Sequence, residues 1–397
     1  MEAQCRKQVS SRAMCISPFL VMEVMERAKA LERAGRSIMH LEVGEPDFPT
    51  PRAILEAGVR ALRDGRTHYT HSLGHLELRE SICGWYRREY QVEVSPERVI
   101  VTAGSSAAIS LIMAALLEPG SEVLLSDPHY ACYPNFICAF GGVPVRIPVR
   151  EEEGFQFDPQ AVRAHLGPAS RAILLNSPAN PTGIVTPLEG LAALSAAIDG
   201  RIPILSDEIY HGLVYGGRAH SILEVCPDAV VINGFSKLFA MTGWRLGYAI
   251  LPPYLVRPIQ KLQQNLFICA ADFVQIAARA ALEEPSVAQD VAGMRRAYDE
   301  RRQAVLARLA AMGLPVKVVP TGAFYVFFAV REFTSDVYHF AFRILEEAGV
   351  AVTPGVDFGP GGEGYLRLSY ANSLENIEEG MTRLARFFER ERARVTP

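Results

Sequence analysis

Residues 233–248, NGFSKLFAMTGWRLGY, contain one lysine and one arginine eight positions apart, no acidic residue, and otherwise mostly small or apolar side chains. An amine in apolar surroundings loses favourable hydration and shifts toward the neutral, nucleophilic form that condenses with a carbonyl. An arginine nearby suits a phosphate. Lys237 and Arg245 together therefore describe a ligand that carries both an aldehyde and a phosphate.

Four further stretches bear on that ligand. VIVTA followed by GSSAAIS sets Ser105 and Ser106 at a strand-to-helix turn, where free backbone N–H groups and the helix dipole favour an anion, although a plain turn reads the same way. No G-x-G-x-x-G occurs there, which argues against a dinucleotide fold. NSPANPTG holds Asn180 before a proline in a tight turn. LSDEIYHGL puts Asp207 at a strand end and Tyr210 three residues later. A carboxylate there could keep a pyridinium nitrogen protonated and a phenol could donate to a ring oxygen; Asp207 also reads as a helix N-cap. DPHYACYPN offers Tyr130 as a face on which a flat ring could stack. Each piece has an ordinary explanation alone. Their joint occurrence fits one ligand, pyridoxal phosphate.

The elements that must position these residues follow from the hydrophobic pattern. Between about residues 97 and 250, the apolar runs RVIVTA, EVLLS, VPVRIPV, RAILLN, IPILSD, AVVIN and WRLGYAI alternate with helical stretches. That alternation predicts an α/β fold with a largely parallel sheet covered by helices, whose ligands sit at the carboxyl ends of strands. A charged helical region is expected over residues 272–312, broken near Glu283-Glu284-Pro285. Beyond it, AFYVFFAV, a helix near 338–348, EGYLRLSYA and a closing helix near 374–391 make an α+β segment. An amphipathic helix over 21–33 is expected to pack with that segment. The uncharged run from Val99 to Leu117 reads as strand, turn and helix rather than a membrane span.

Bulk properties exclude several classes. Forty basic against 44 acidic residues give a net charge of −4, which offers no electrostatic case for nucleic acid or an anionic membrane as partner. Cys5, Cys15, Cys83, Cys132, Cys138, Cys226 and Cys269 are scattered, odd in number and never paired as C-x-x-C. A reduced cytoplasmic protein without disulfides or a zinc site is expected. MEAQCRKQVSSRAMC lacks the apolar core of an export signal.

Taken together, LEVGEPDFPTP, NSPANPTG, SDEIY, FSKLFAMTGWRLGY and GYLRLSYA make the chain resemble, over nearly its full length, the class I, fold type I pyridoxal-phosphate aminotransferases of the aspartate and aromatic aminotransferase superfamily. The resemblance implies a large domain over 46–290 with a mostly parallel seven-stranded sheet flanked by helices. A smaller α+β domain would be built from 1–45 and 291–397. It implies that Lys237 anchors the cofactor covalently and moves the substrate's α-proton, with Asp207 at the pyridine nitrogen, Asn180 and Tyr210 at the ring oxygen, and Tyr130 on the ring face. Ser105, Ser106, Ser236 and Arg245 would hold the phosphate, and Tyr69 would reach the partner subunit's phosphate in a homodimer. Arg367, with Asn180 and the backbone at Gly44, would take the substrate α-carboxylate.

One position departs from the family pattern: Gly234 stands where relatives often carry a serine, so Ser236 or backbone groups are expected to compensate. His68, His71 and His75 stand close together but belong to the tyrosine loop, and no metal site is expected. The implied reaction is transamination of an L-amino acid with a 2-oxo acid, 2-oxoglutarate being the common acceptor. Some close aspartate-specific relatives use a lysine at the position of Ser106 and hydroxyl residues about 25 positions before the GEPDF glycine, where this chain has Phe19, Leu20 and Val21. Apolar or aromatic donors are therefore expected over aspartate, because an unpaired buried carboxylate is costly. Aspartate transamination and carbon–sulfur β-lysis on the same fold are the alternatives. A ligand sensor fused to a DNA-binding module is disfavoured by the roughly 40 residues that precede GEPDF.

Overall fold

The computed structural model describes residues 9–395. Cys5 and the first eight residues of the stretch read as lacking an export signal lie outside the described residues, as do Thr396 and Pro397. The strands in chain order are β1 Met39–His40, β2 Val99–Thr102, β3 Glu122–Asp127, β4 Val143–Pro148, β5 Ser170–Asn176, β6 Ile204–Asp207, β7 Val230–Gly234, β8 Gly247–Ile250, β9 Tyr325–Ala329, β10 Val350–Ala351, β11 Thr353–Pro354 and β12 Tyr365–Ser369.

Strands β2 to β8 form one seven-stranded sheet in the order β2-β8-β7-β6-β5-β3-β4. Within it β8 runs antiparallel to both its neighbours, and the other pairings are parallel. The seven apolar runs expected from the sequence are these seven strands. Both faces are covered, so successive side chains enter different cores. Val99 and Val101 of β2 join one core and Ile100 the other; Ile173 and Leu175 of β5 join the first, Ala172 and Leu174 the second. The run from Val99 to Leu117 is β2 followed by helix Ser105–Leu116. Among the described residues no helix is long and apolar enough to cross a membrane.

The expected break in the charged helical region falls at Glu284, between helices Asp272–Glu283 and Pro285–Ala311. The second of these runs unbroken through residues 290 and 291. Beyond it, β11, β12 and β9 make a three-stranded antiparallel sheet, and β1 pairs in parallel with β10. Helix Leu20–Arg33 packs on this second group of elements, with Val24, Ala28 and Leu31 against Ile38, Leu345 and Ala351.

Candidate active site

Five parallel strands deliver chemistry at their carboxyl ends. Ser105 and Ser106 follow β2, Tyr130 follows β3, Asn176 ends β5, Asp207 ends β6, and Lys237 follows β7. Because β8 is reversed, its amino end lies on the same side of the sheet, and Arg245 stands just before it. Adjacent ladders fix these ends against one another: Asn176 is opposite Asp207 in the β5–β6 register, and its Nδ2 donates to the Asp207 carbonyl at 3.0 Å. The Asn176 Oδ1 in turn accepts the Asn180 N–H at 2.7 Å, which sets the Asn–Pro turn over the sheet end.

The result is a cavity of about 220 Å³ lined by Ser105, Ser106, Tyr130, Asn180, Asp207, Tyr210 and Lys237 on the sheet side and by Gly44 and Arg367 from elsewhere. Burial lowers the Lys237 amine to about 8; Arg367 and Arg245 push the same way, while Glu45 and Asp207 oppose them. Its Nζ donates to the Gly44 carbonyl at 2.7 Å. Burial raises the Asp207 carboxyl to about 6, against the pull of the Tyr133 hydroxyl, the Ile209 N–H and Lys237. Tyr133 donates to Asp207 Oδ2 at 2.7 Å and Ile209 N–H to Oδ1 at 3.2 Å, so both oxygens are oriented.

At the β2 turn, Gly104 has φ 89° and precedes helix Ser105–Leu116 without offering a side-chain cap. The first N–H groups of that helix therefore have no capping side chain, and no acidic residue stands in the first turn. The Arg245 guanidinium closes over them: a β-carbon at Gly104 would lie 2.7 Å from its Nη2. Gly247 is needed for the same approach, since a β-carbon there would come within 2.5 Å of the Ser105 nitrogen. Uncapped N–H groups beneath a guanidinium make an anion seat, so the residues present fit pyridoxal phosphate: an anion seat, a depressed amine, and a buried oriented carboxylate in one cavity.

The opposite side of the cavity is assembled from remote segments. Arg367 of β12 is 2 % exposed. Its guanidinium donates to Asn180 Oδ1 at 2.9 Å and Thr353 Oγ1 at 3.2 Å and also to the Glu42 carbonyl. It lies over the rings of Tyr325 and Phe358 at 4.4 and 4.8 Å. Its Nε has no hydrogen-bond partner, and the carboxylate that feels its field, Asp357, accepts from the Leu20 and Val21 N–H groups instead. A buried guanidinium with an unmatched donor is costly, and an incoming carboxylate relieves that cost. Tyr325 joins Tyr210 through their hydroxyls at 2.8 Å and fills the space that a side chain at position 44 would need.

Of the residues expected from the sequence, three do not line the cavity. Ser236 is buried outside the lining, Arg245 sits at the anion seat from its exposed side, and Tyr69 is 80 % exposed. Phe19 and Val21 do line it, while Leu20 points its N–H to Asp357. At Gly234 a β-carbon would lie 3.0 Å from Gly247 Cα and from the Leu246 carbonyl, so a side chain there would press on the β7–β8 pairing. In the tyrosine loop His75 pairs with Asp272 at 2.6 Å and His71 accepts the Leu73 N–H at 3.2 Å. Among the described residues no group of three or more His, Cys, Asp or Glu is arranged to hold a metal ion.

Sequence reasoning missed Tyr133 and Tyr325. For Tyr133 a signal existed: it stands three residues after Tyr130 in DPHYACYPN, and the two rings meet edge to face at 5.2 Å. Tyr325 lies in AFYVFFAV, where an aromatic residue in a strand reads as ordinary core.

The family described as aminotransferase class I and II matches residues 36–384. The (5-formylfuran-3-yl)methyl phosphate transaminase of Methanocaldococcus jannaschii is 41 % identical over 96 % of this chain and 99 % of that protein. The aromatic-amino-acid aminotransferase 2 of Thermococcus litoralis is 36 % identical over 95 % of this chain and 97 % of its own. The structure of Thermus thermophilus aspartate aminotransferase with maleate superposes with a TM-score of 0.92 at 39 % identity, covering 96 % of this chain and 99 % of that one.

Proposed function

The chain belongs to the class I and II aminotransferases, enzymes that use pyridoxal phosphate, and from that premise we propose that it moves the amino group of an apolar or aromatic L-amino acid to a 2-oxo acid. The observation that carries the donor preference is the cavity lining. Its basic residues are Lys237 and Arg367, both already engaged by the amine chemistry and the α-carboxylate. The remaining lining includes Phe19, Val21, Met22, Ile109 and Tyr130, with Ser106 where some aspartate-specific relatives carry a lysine. The second carboxylate of aspartate would be buried there without a cation, which costs several kcal/mol. 2-Oxoglutarate, the expected acceptor, carries its second carboxylate one methylene farther from the reacting carbon. The names of the relatives span a furan phosphate, aromatic amino acids and aspartate, so likeness alone selects no donor.

Bound pyridoxal phosphate supplies the electron sink that makes a substrate α-proton acidic. The chain's own residues do the rest. Lys237, with its amine brought to about 8, would anchor the aldehyde and, once displaced by substrate, would take the proton from the α-carbon and deliver it to the carbon that had carried the aldehyde. Asp207 would keep a proton on the ring nitrogen, and Tyr210 with Asn180 would orient the ring oxygen. Tyr130 would cover the ring face. Arg367 would orient the α-carboxylate so that the α-hydrogen faces Lys237.

We further read the protein as a cytoplasmic homodimer. Leu55, Val59 and Leu62 form an exposed stripe on helix Arg52–Arg63, and Leu266, Phe267 and Ile268 are exposed as well. A second copy covering them would give Tyr69 a phosphate to reach. The described cysteines are free, in keeping with a reducing compartment.

The test is to mix holoprotein with each amino acid in turn, without acceptor, and follow the cofactor's absorbance. Faster conversion by phenylalanine, leucine or methionine than by aspartate is expected. Equal or faster conversion by aspartate removes the donor preference, and no conversion by any amino acid removes transamination.

A further inference from the structure

Helix Leu20–Arg33 starts without a cap of its own, because Phe19 at the preceding position offers its first turn no side-chain hydrogen bond. The N–H groups of Leu20 and Val21 donate instead to the two carboxylate oxygens of Asp357, at 2.9 and 3.3 Å, a residue 337 and 336 positions away in the chain. On the other side Ser17 and Asn135 exchange hydrogen bonds of 3.0 and 3.1 Å, which tie the preceding residues to helix Tyr133–Ala139. Residues 17–22 are thus a strap fixed at both ends, and Phe19, Val21 and Met22 are its cavity-lining residues.

The rest of the helix is held by other means. Val24, Ala28 and Leu31 are packed in a core with Leu345 and Ala351, and Arg27 pairs with Glu346. The first turn, which carries part of the apolar wall, depends on the remote carboxylate. Asp357 also shares its mount with the α-carboxylate site: the next residue, Phe358, lies beneath the Arg367 guanidinium at 4.8 Å.

We infer that Asp357 is a positioning residue for side-chain selection: by capping the first turn from across the fold, it fixes Phe19, Val21 and Met22 against the substrate side chain and sets the discrimination between large apolar donors and small ones. The inference rests on the donor reading above. Burial raises the Asp357 carboxyl, and the two N–H groups and the field of Arg367 pull it back, as a working cap requires. Removing the charge also alters the field at Arg367. Every donor carries an α-carboxylate, so that effect cancels when two donors are compared.

The experiment measures kcat/KM of the wild-type, Asp357→Asn and Asp357→Ala holoenzymes for phenylalanine, leucine and alanine, with cofactor content read from absorbance. In Asp357→Ala the phenylalanine-to-alanine ratio should fall about fivefold or more, chiefly through KM, which is the size expected for a lost helix cap. Asp357→Asn should show a smaller fall in the same direction, since its amide oxygen still accepts one N–H. A merely structural role would lower all three donors together. Equal losses, or an unchanged ratio, in either folded and cofactor-loaded variant overturn the inference. Should Asp357→Ala fail to fold, the near-isosteric Asp357→Asn decides by the same ratio. If the wild type prefers aspartate, the donor reading fails separately, while the variant ratios still judge Asp357.

Discussion

The two sides of the cavity are held by different physics. On the sheet side, Asn176, Asp207 and Lys237 come off β5, β6 and β7, which are consecutive neighbours in one sheet. Their backbones are locked by ladder bonds, and the Asp207 side chain is oriented by donors to both oxygens. On the opposite side, Arg367 and Tyr325 come from β12 and β9, which share their own antiparallel ladder, while the strap, residues 17–22, is held by long-range bonds to the Asp357 and Asn135 side chains. Backbone ladders resist change in any one side chain; a few side-chain bonds do not. Chemistry is therefore fixed by the sheet, and selectivity sits where it can vary without disturbing the chemistry.

If this division holds, changes on the sheet side should act on every donor alike, and changes on the strap should act on some donors more than others. The largest effect belongs to Lys237→Ala. The fold should survive, since the side chain makes one hydrogen bond to the Gly44 carbonyl, while turnover of every amino acid falls by roughly 10⁴-fold or more. Stopped-flow absorbance with saturating donor checks it. A normal rate with any one donor would break the assignment and the comparison with it.

Tyr133→Phe comes next. It removes one hydrogen bond to a buried carboxylate, worth about 1.5–3 kcal/mol, so kcat should fall roughly tenfold or more and equally across donors. It has a second readout. Asp207 titrates near about 6, with Tyr133 the foremost group pulling it down against burial. Without that donor the protonated form is favoured, so the midpoint must rise. Infrared titration of the carboxyl stretch in the apoproteins measures it; a variant midpoint no higher than that of the wild type would show that Tyr133 does not hold Asp207 ionised.

The same division explains what could be read from the sequence. The seven strands were legible because each is a short apolar run bounded by turn residues, and the cofactor residues sit at those boundaries, Arg245 before β8 and the others at carboxyl ends. Lys237 and Arg245 were legible as a pair because both lie in the one connection, residues 235–246, between the antiparallel neighbours β7 and β8. The strap was not. Asp357 and Leu20 are 337 positions apart, and nothing local in GVDFG distinguishes a remote helix cap from a solvated turn. Tyr69 is a different case, for its expected role depends on a second copy, and a single chain leaves it at the surface. Gly234 shows the limit within a legible motif: the missing hydroxyl was visible, but the close packing of that position against Gly247 is a contact between strands.

The smallest effect, and the sharpest test, is at the point where the two sides touch. Phe19 of the strap meets Tyr130 edge to face at 6.2 Å, and Tyr130 meets Tyr133 at 5.2 Å. Such ring pairs are worth about 0.5–1.5 kcal/mol each, enough to transmit a displacement if the wall and the sheet side moved together. Phe19→Ala should lower kcat/KM for phenylalanine about threefold to tenfold more than for alanine, the cost of an emptied apolar contact. Combined with Tyr133→Phe, the two losses should add within about 0.5 kcal/mol, because one acts on side-chain binding and the other on the carboxylate behind the ring. Measured as a double-mutant cycle with phenylalanine as donor, a larger coupling would mean that the aromatic chain carries strain from strap to Asp207, and that selectivity and chemistry are one machine rather than two.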